Sequence, residues 1–243
     1  MRNLRARFAL VVAVGALLIA GNARATAVAY DVSIDLGGQI LAAGDLPVSF
    51  TPSTKGGVYQ LTAPFVGTNG TIESWGSIYD TDPFVTNNFV VVNTTGFIQT
   101  YVFTVTSPIV PQLPTTEMIG SVGLTITNTA SPSADLDDDG SAVYTALIDG
   151  SPVKTLFDPA YALGCTPAFC SDTDSTDFGI PIPIAGPGAS TSIGIRIQFD
   201  LSPGDSAGVT SVFNINAVPE PVTGALLGAG LLGLAVAGRR RAS

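Results

Sequence analysis

Ile193-Gly194-Ile195-Arg196-Ile197-Gln198-Phe199-Asp200 sets an apolar side chain at every second position, and Leu201-Ser202-Pro203-Gly204-Asp205 then leads into a further apolar run, Val209 to Ala217. A repeat of two is that of a strand with one face in a core and the other in water; a helix would repeat every 3.6 residues. Ser-Pro-Gly-Asp is turn chemistry, with proline presetting one backbone angle and glycine and aspartate tolerating the tight geometry. The stretch therefore reads as strand, turn, strand.

The same alternation appears far upstream, where Val28, Tyr30, Val32, Ile34 and Leu36 interleave with Ala29, Asp31, Ser33 and Asp35. Between the two, short β-type runs recur at Pro47 to Phe50, Val58 to Leu61, Thr71 to Tyr79, Asn88 to Asn93, Phe97 to Thr106, Met118 to Asn128, Ala142 to Asp149 and Val153 to Phe157. Pro52 and Lys55-Gly56-Gly57 supply breaks of the expected kind. No helical period interrupts them and no fixed repeat is visible, which argues against a β-helix. The expected fold is all-β, an antiparallel β-sandwich of jelly-roll or immunoglobulin-like type.

The two ends of the chain have a different character. Arg2, Arg5 and Arg7 precede the apolar run Phe8 to Ala20, and Ala23-Arg24-Ala25 is a small-x-small cleavage site, so residues 1–25 read as a secretory signal peptide. At the other end, Val218-Pro219-Glu220-Pro221 is followed by an uncharged run from Val222 to Gly238 and then by Arg239-Arg240-Arg241. As a helix those seventeen residues reach roughly 25 Å, just short of a hydrocarbon core. Arginine after the span favours a cytoplasmic C-terminus, and the two prolines hold Val218 and Glu220 extended at the membrane edge. The expected organisation is a signal peptide (1–25), an exported sandwich domain (26–217) and a tail (218–243), with the motif at 218–221, a transmembrane helix at 222–238 and a basic end at 239–241.

A Pro-Glu-Pro motif, an apolar helix and an arginine cluster, in that order at the chain's end, closely resemble the PEP-CTERM sorting signal of exported bacterial proteins. The resemblance covers about the last 25 residues. It implies a membrane protease of the exosortase type as partner, a transient membrane anchor before release to the cell surface or the extracellular matrix, and an association with exopolysaccharide. Leu201 to Ala207 followed by a strand running into the tail is similar to the ending of many such ectodomains.

Composition narrows the function of the domain itself. Of 19 acidic residues only Glu220 lies outside 26–217, and of ten basic residues only Lys55, Lys154 and Arg196 lie inside, so eighteen against three gives a domain charge of minus fifteen. Such a surface repels nucleic acid and anionic lipid and attracts cations. The absence of histidine excludes Ser-His-Asp, Cys-His and histidine-zinc chemistry. No phosphate loop, dinucleotide fingerprint or Gly-x-Ser-x-Gly elbow is present, so the expected protein is not an enzyme. The alternative is a carboxylate-pair glycosidase or lyase acting on polysaccharide.

Cys165 and Cys170, with four residues between them in an exported chain, are expected to form a disulfide. Asp135-Leu136-Asp137-Asp138-Asp139-Gly140 opens like a calcium loop, with Asp135, Asp137 and Asp139 as ligands and Gly140 allowing the bend. The twelfth position is Ala146 where a calcium-binding hand has glutamate, so a further acid such as Asp149 would have to join. Ca²⁺ is the candidate cofactor, and a Ca²⁺-dependent carbohydrate-binding module the alternative function; a solvated acidic turn is the plain reading. Asp172, Asp174 and Asp177 read as a turn capping its own backbone, or else as metal ligands. Trp75 beside Glu73 reads as a core residue, or else as an exposed ring stacking on sugar.

Overall fold

The computed structural model describes residues 30–129, 131–218 and 228–231. Seventeen strands build two antiparallel sheets packed face to face. The first sheet holds β1 (Asp31–Leu36), β2 (Gln39–Ala42), β8 (Gln99–Pro108), β10 (Ala134–Asp137), β11 (Tyr144–Ile148), β12 (Ser151–Leu156), β13 (Ala162–Cys165) and β16 (Ser192–Leu201). The second holds β3 (Val48–Pro52), β4 (Gly56–Leu61), β5 (Phe65–Val66), β6 (Thr71–Asp80), β7 (Phe84–Val92), β9 (Thr116–Thr127), β14 (Ser171–Phe178), β15 (Ile184–Gly186) and β17 (Ser206–Ala217). Their orders are β12-β11-β16-β8-β1-β2, with β10 and β13 continuing one side, and β14-β9-β17-β7-β6-β4-β3, with β15 beside β9 and β5 beside β6. The expected all-β antiparallel sandwich is what the chain forms.

Strict alternation does the building. Along β9 and β17 buried and half-buried residues alternate almost without a break, which sends Met118, Val122, Leu124, Ile126, Val209 and Phe213 inward. From the facing sheet, Ile193, Ile195, Ile197, Phe199, Phe103 and Val105 meet them. Phe89 and Phe103 stack at 3.7 Å between ring centroids, and the Tyr144 hydroxyl donates across the core to the Val212 carbonyl at 3.1 Å. Fully burying each such large side chain is worth about 1.5–3 kcal/mol.

Trp75 belongs to this core. It is 2% exposed and its indole donates to the Asn87 side chain at 3.1 Å, so it cannot stack on a sugar, and Glu73 beside it is the extra residue of a bulge in β6.

Several strands were hidden in the sequence. Asp135 to Asp137 is strand β10, not the start of a loop, because Leu136 points inward and pairs opposite Leu201 and Leu163. Asp172 to Asp177 lies within strand β14, pairing along the whole outer half of β9, and is not a turn. In both places the ladder hydrogen bonds and one buried residue outweigh the turn preference of aspartate.

The connections between sheets fix the ends of the molecule. Residues 93–98, 128–133, 166–170 and 202–205 gather at one end of the sandwich, since Val92 pairs with Ser206 and Gln99 with Leu201. At the other end Asp31 pairs with Thr106 and Ala217 with Thr116, so the start of β1 and the end of β17 lie at the same end. The expected signal peptide with its expected cleavage residues Ala23 and Ala25, the expected motif residues Pro219 to Pro221, and Arg239 to Arg241 fall outside the described residues. Within the apolar run, residues 228–231 are helical, and among the described residues no helix is long and apolar enough to cross a membrane.

Candidate functional site

Asp135 and Asp137 stand on the outer face of β10, and Asp200 lies directly opposite Asp137 on β16. Like charges paired across strands repel. Desolvation first, then Asp135, Asp138 and Asp200, raise the Asp137 carboxyl above its ordinary value. The Thr100 hydroxyl donates to Asp200 at 2.5 Å and the Ser133 hydroxyl to Asp135 at 3.2 Å. Asp135, Asp137, Asp200 and Ser133, with Ile98 and Ser202, line a hollow of about 310 Å³.

The next two acids are committed elsewhere. Asp138 accepts from the Gly140 and Tyr161 amides, and Asp139 accepts from the Ser141 amide and the Gln198 side chain. Gly140 does take the left-handed bend expected of it, with φ +90°. Asp135, Asp137 and Asp139 are nevertheless not brought to one centre: among the described residues, no three carboxylates or thiols converge on a point a metal ion could occupy.

Asp149 is likewise engaged elsewhere. With Gly150 it forms the two-residue turn between β11 and β12, both at positive φ, and its carboxylate accepts the Ser190, Thr191 and Ser192 amides and the Thr191 hydroxyl. Desolvation pushes its pKa upward, yet those donors together hold it at about 2. Asp174 accepts the Ser175 amide and the Tyr161 hydroxyl, and Asp172 the Thr173 amide.

Sequence reading passed over Asp205, seeing only a turn residue. It is fully buried at the loop end, where its carboxylate accepts the Ser202 hydroxyl at 2.6 Å, the Ser131 hydroxyl at 3.0 Å and the Thr129 amide at 3.3 Å. Its backbone carbonyl accepts the Asn93 amide. One residue thus ties three loops together. Nearby, Cys165 and Cys170 are bonded as expected, with Cα atoms 5.9 Å apart, closing the corner from β13 to β14 and leaving Phe169 82% exposed.

A larger concavity lies away from these carboxylates, on the outer face of the second sheet, and encloses about 760 Å³. Its floor is two registered rows across the strands. One runs Ser175, Gly123, Thr210, Asn88, Gly76, Gln60; the other runs Thr173, Thr125, Gly208, Val90, Ser74. Six strands at about 4.8 Å spacing make the first row roughly 24 Å long. Asp174 at one end is the only charged residue lining it.

Fold and surface together define an acidic two-sheet β-sandwich with a polar trough across one sheet. No protein-family model and no curated protein matches the chain. Among solved structures it is similar to the enzymatically active domain of bacteriophage CBA120 tailspike protein 4, at 14% identity and TM-score 0.23, covering 55% of this chain and 18% of that one. It is also similar to a structure of infectious bursal disease virus Gx strain, at 12% identity and TM-score 0.25, covering 81% and 53%. The chain thus spans about a fifth and about half of those two chains.

Proposed function

We propose that this is an exported, non-enzymatic surface protein, structural or adhesive and associated with exopolysaccharide, delivered by a C-terminal sorting signal that an exosortase-type protease removes. The supporting observation is where the sandwich stops. β17 ends at Ala217, the Val218 amide donates to the Thr115 carbonyl, and Pro219 follows at once. Among the described residues every buried member of the core lies upstream of that point, so a cut at Pro219 to Pro221 would remove the span at 222–238 and leave that core whole. The exported domain follows a signal peptide at 1–25. Repeated passage of the chain between two large sheets favours the jelly-roll form over the immunoglobulin form, whose two sheets share about seven to nine strands.

Mass spectrometry of the surface-released protein tests the delivery. The mature C-terminus is expected between Val218 and Pro221, with Glu220→Ala or Pro221→Ala blocking the cut and Arg239 to Arg241→Ser weakening membrane retention. An intact Ser243 peptide on the delivered form would leave the tail a plain anchor.

A Ca²⁺-dependent, carbohydrate-binding version of this reading draws on the crowding of Asp135, Asp137 and Asp200, which a cation would relieve. Asp139 would have to release Gln198 to join. A melting temperature raised by Ca²⁺ in the wild type and not in Asp137→Asn supports it; coincident melts in Ca²⁺ and chelator remove it.

A further inference from the structure

We infer that the trough across the second sheet is a binding groove for an uncharged polysaccharide chain. The inference begins with Gly76, Gly123 and Gly208, which sit inside long strands with their α-carbons facing the trough. Glycine weakens a strand interior, so it usually answers a need of the backbone or of packing. Neither need exists here. None of the three has a positive φ. A methyl group added at Gly76, Gly123 or Gly208 would meet its nearest neighbour at 3.7, 4.0 and 3.8 Å, ordinary van der Waals distances. Gly120, three residues before Gly123 on the inner face of the same strand, is the contrast: a methyl there would lie 2.5 Å from the Phe178 ring. The three outward glycines leave the fold untouched and keep the trough open, which is the remaining role of a strand glycine, letting a ligand approach the backbone closely.

The lining selects the occupant. Ser74, Asn88, Thr125, Thr173, Ser175 and Thr210 present hydroxyl and amide groups that both donate and accept, as a chain of sugar hydroxyls requires. No lysine or arginine lines the trough, and the domain carries fifteen excess negative charges, so an anionic polymer is disfavoured. Over most of the floor an extended peptide has no strand edge to pair with, because β9, β17, β7 and β6 are paired on both sides, and the open edge at β14 carries Asp172, Asp174 and Asp177. The aliphatic side chains that face outward there, Val58, Ile78 and Val90, are interleaved with Gln60, Gly76, Asn88 and Ser74, and no exposed aromatic anchor of the kind a protein partner uses stands among them.

The groove rests on the proposed surface role for the availability of such a polymer, and names its chemical class. Affinity electrophoresis of the full chain in a zwitterionic, sugar-free detergent tests it, with dextran, laminarin, mannan and hydroxyethylcellulose as uncharged polymers and polygalacturonate as the charged control. At least one uncharged polymer is expected to retard the wild type, and polygalacturonate is not. Gly208→Leu and Gly76→Val should each cut the apparent affinity at least tenfold while melting at the same or a higher temperature.

Retardation unchanged in both variants, no retardation by any of the four polymers, or equal retardation by polygalacturonate would overturn the proposal. A wild-type dimer that Gly208→Leu dissociates would assign the trough to a second copy and likewise overturn it. Correct processing with no polymer binding defeats only the groove; binding by a chain whose tail is never cut defeats only the delivery reading.

Discussion

Two aspartates hold more of this molecule than their positions in turns suggest. Asp149 is charged down to about pH 2 because four donors from residues 190–192 point at it, although desolvation opposes them. Its folded value lies below the ordinary one, so its contribution is present above about pH 4 and is lost as pH falls toward 2. Acid titration of stability should therefore show a decline in that window that Asp149→Asn flattens, read by urea unfolding at stepped pH. Asp205 is the buried knot of the opposite end. Removing its carboxylate strands the Ser131 and Ser202 hydroxyls and the Thr129 amide, and Asp205→Ala should cost about 3 kcal/mol in urea unfolding. A variant within 0.5 kcal/mol of wild type, on the order of an ordinary surface substitution, would show that solvent replaces it.

At the level of strands, the outer strand β14 is guarded by charge. It forms the edge of the second sheet, and Asp172, Asp174 and Asp177 place three carboxylates along eight residues. Edge strands invite pairing with other chains, and charge is a common deterrent. Replacing the three by threonine should keep the melting temperature and produce concentration-dependent association in light scattering; a strictly monodisperse variant would mean the edge is blocked by other means. The same strand shows why the sequence was only partly legible. β16 could be read directly, since its inward residues Ile193, Ile195, Ile197, Phe199 and Leu201 are large and apolar at every second place, and β9 and β17 nearly so, with Gly120 and Ser211 the small residues among theirs. β14 buries only Phe178, and β10 only Ala134 and Leu136, so their apolar signal is too thin to outvote a row of aspartates. The carboxylate cluster was legible as composition, but its partition was not: whether Asp139 meets a cation or Gln198 depends on β16, some sixty residues later. The trough lay beyond reading altogether, because its rows join six strands through registers that no local pattern encodes.

Across the whole molecule, the tail and the fold are separable at one residue. A chain ending at Val218 should melt like the full chain, whereas one ending at Pro203 should fail to fold, as judged by circular dichroism and protease resistance. Equal stability of the two would mean that β17 is dispensable. It is hard to see how it could be, given its place: it lies between β9 and β7 and is paired on both sides, yet it is the last strand in the chain. Emerging N-terminus first, β1 to β16 come before it, and until Ser206 to Ala217 follow, the strands of the second sheet can pair only as two sets, β14 and β15 with β9, and β7-β6-β4-β3 with β5. The second sheet is therefore completed at one point, when the twelve residues just ahead of the tail appear. The capacity to close the fold and the terminal arginines lie in adjoining stretches of the sequence. A prematurely ended product has neither.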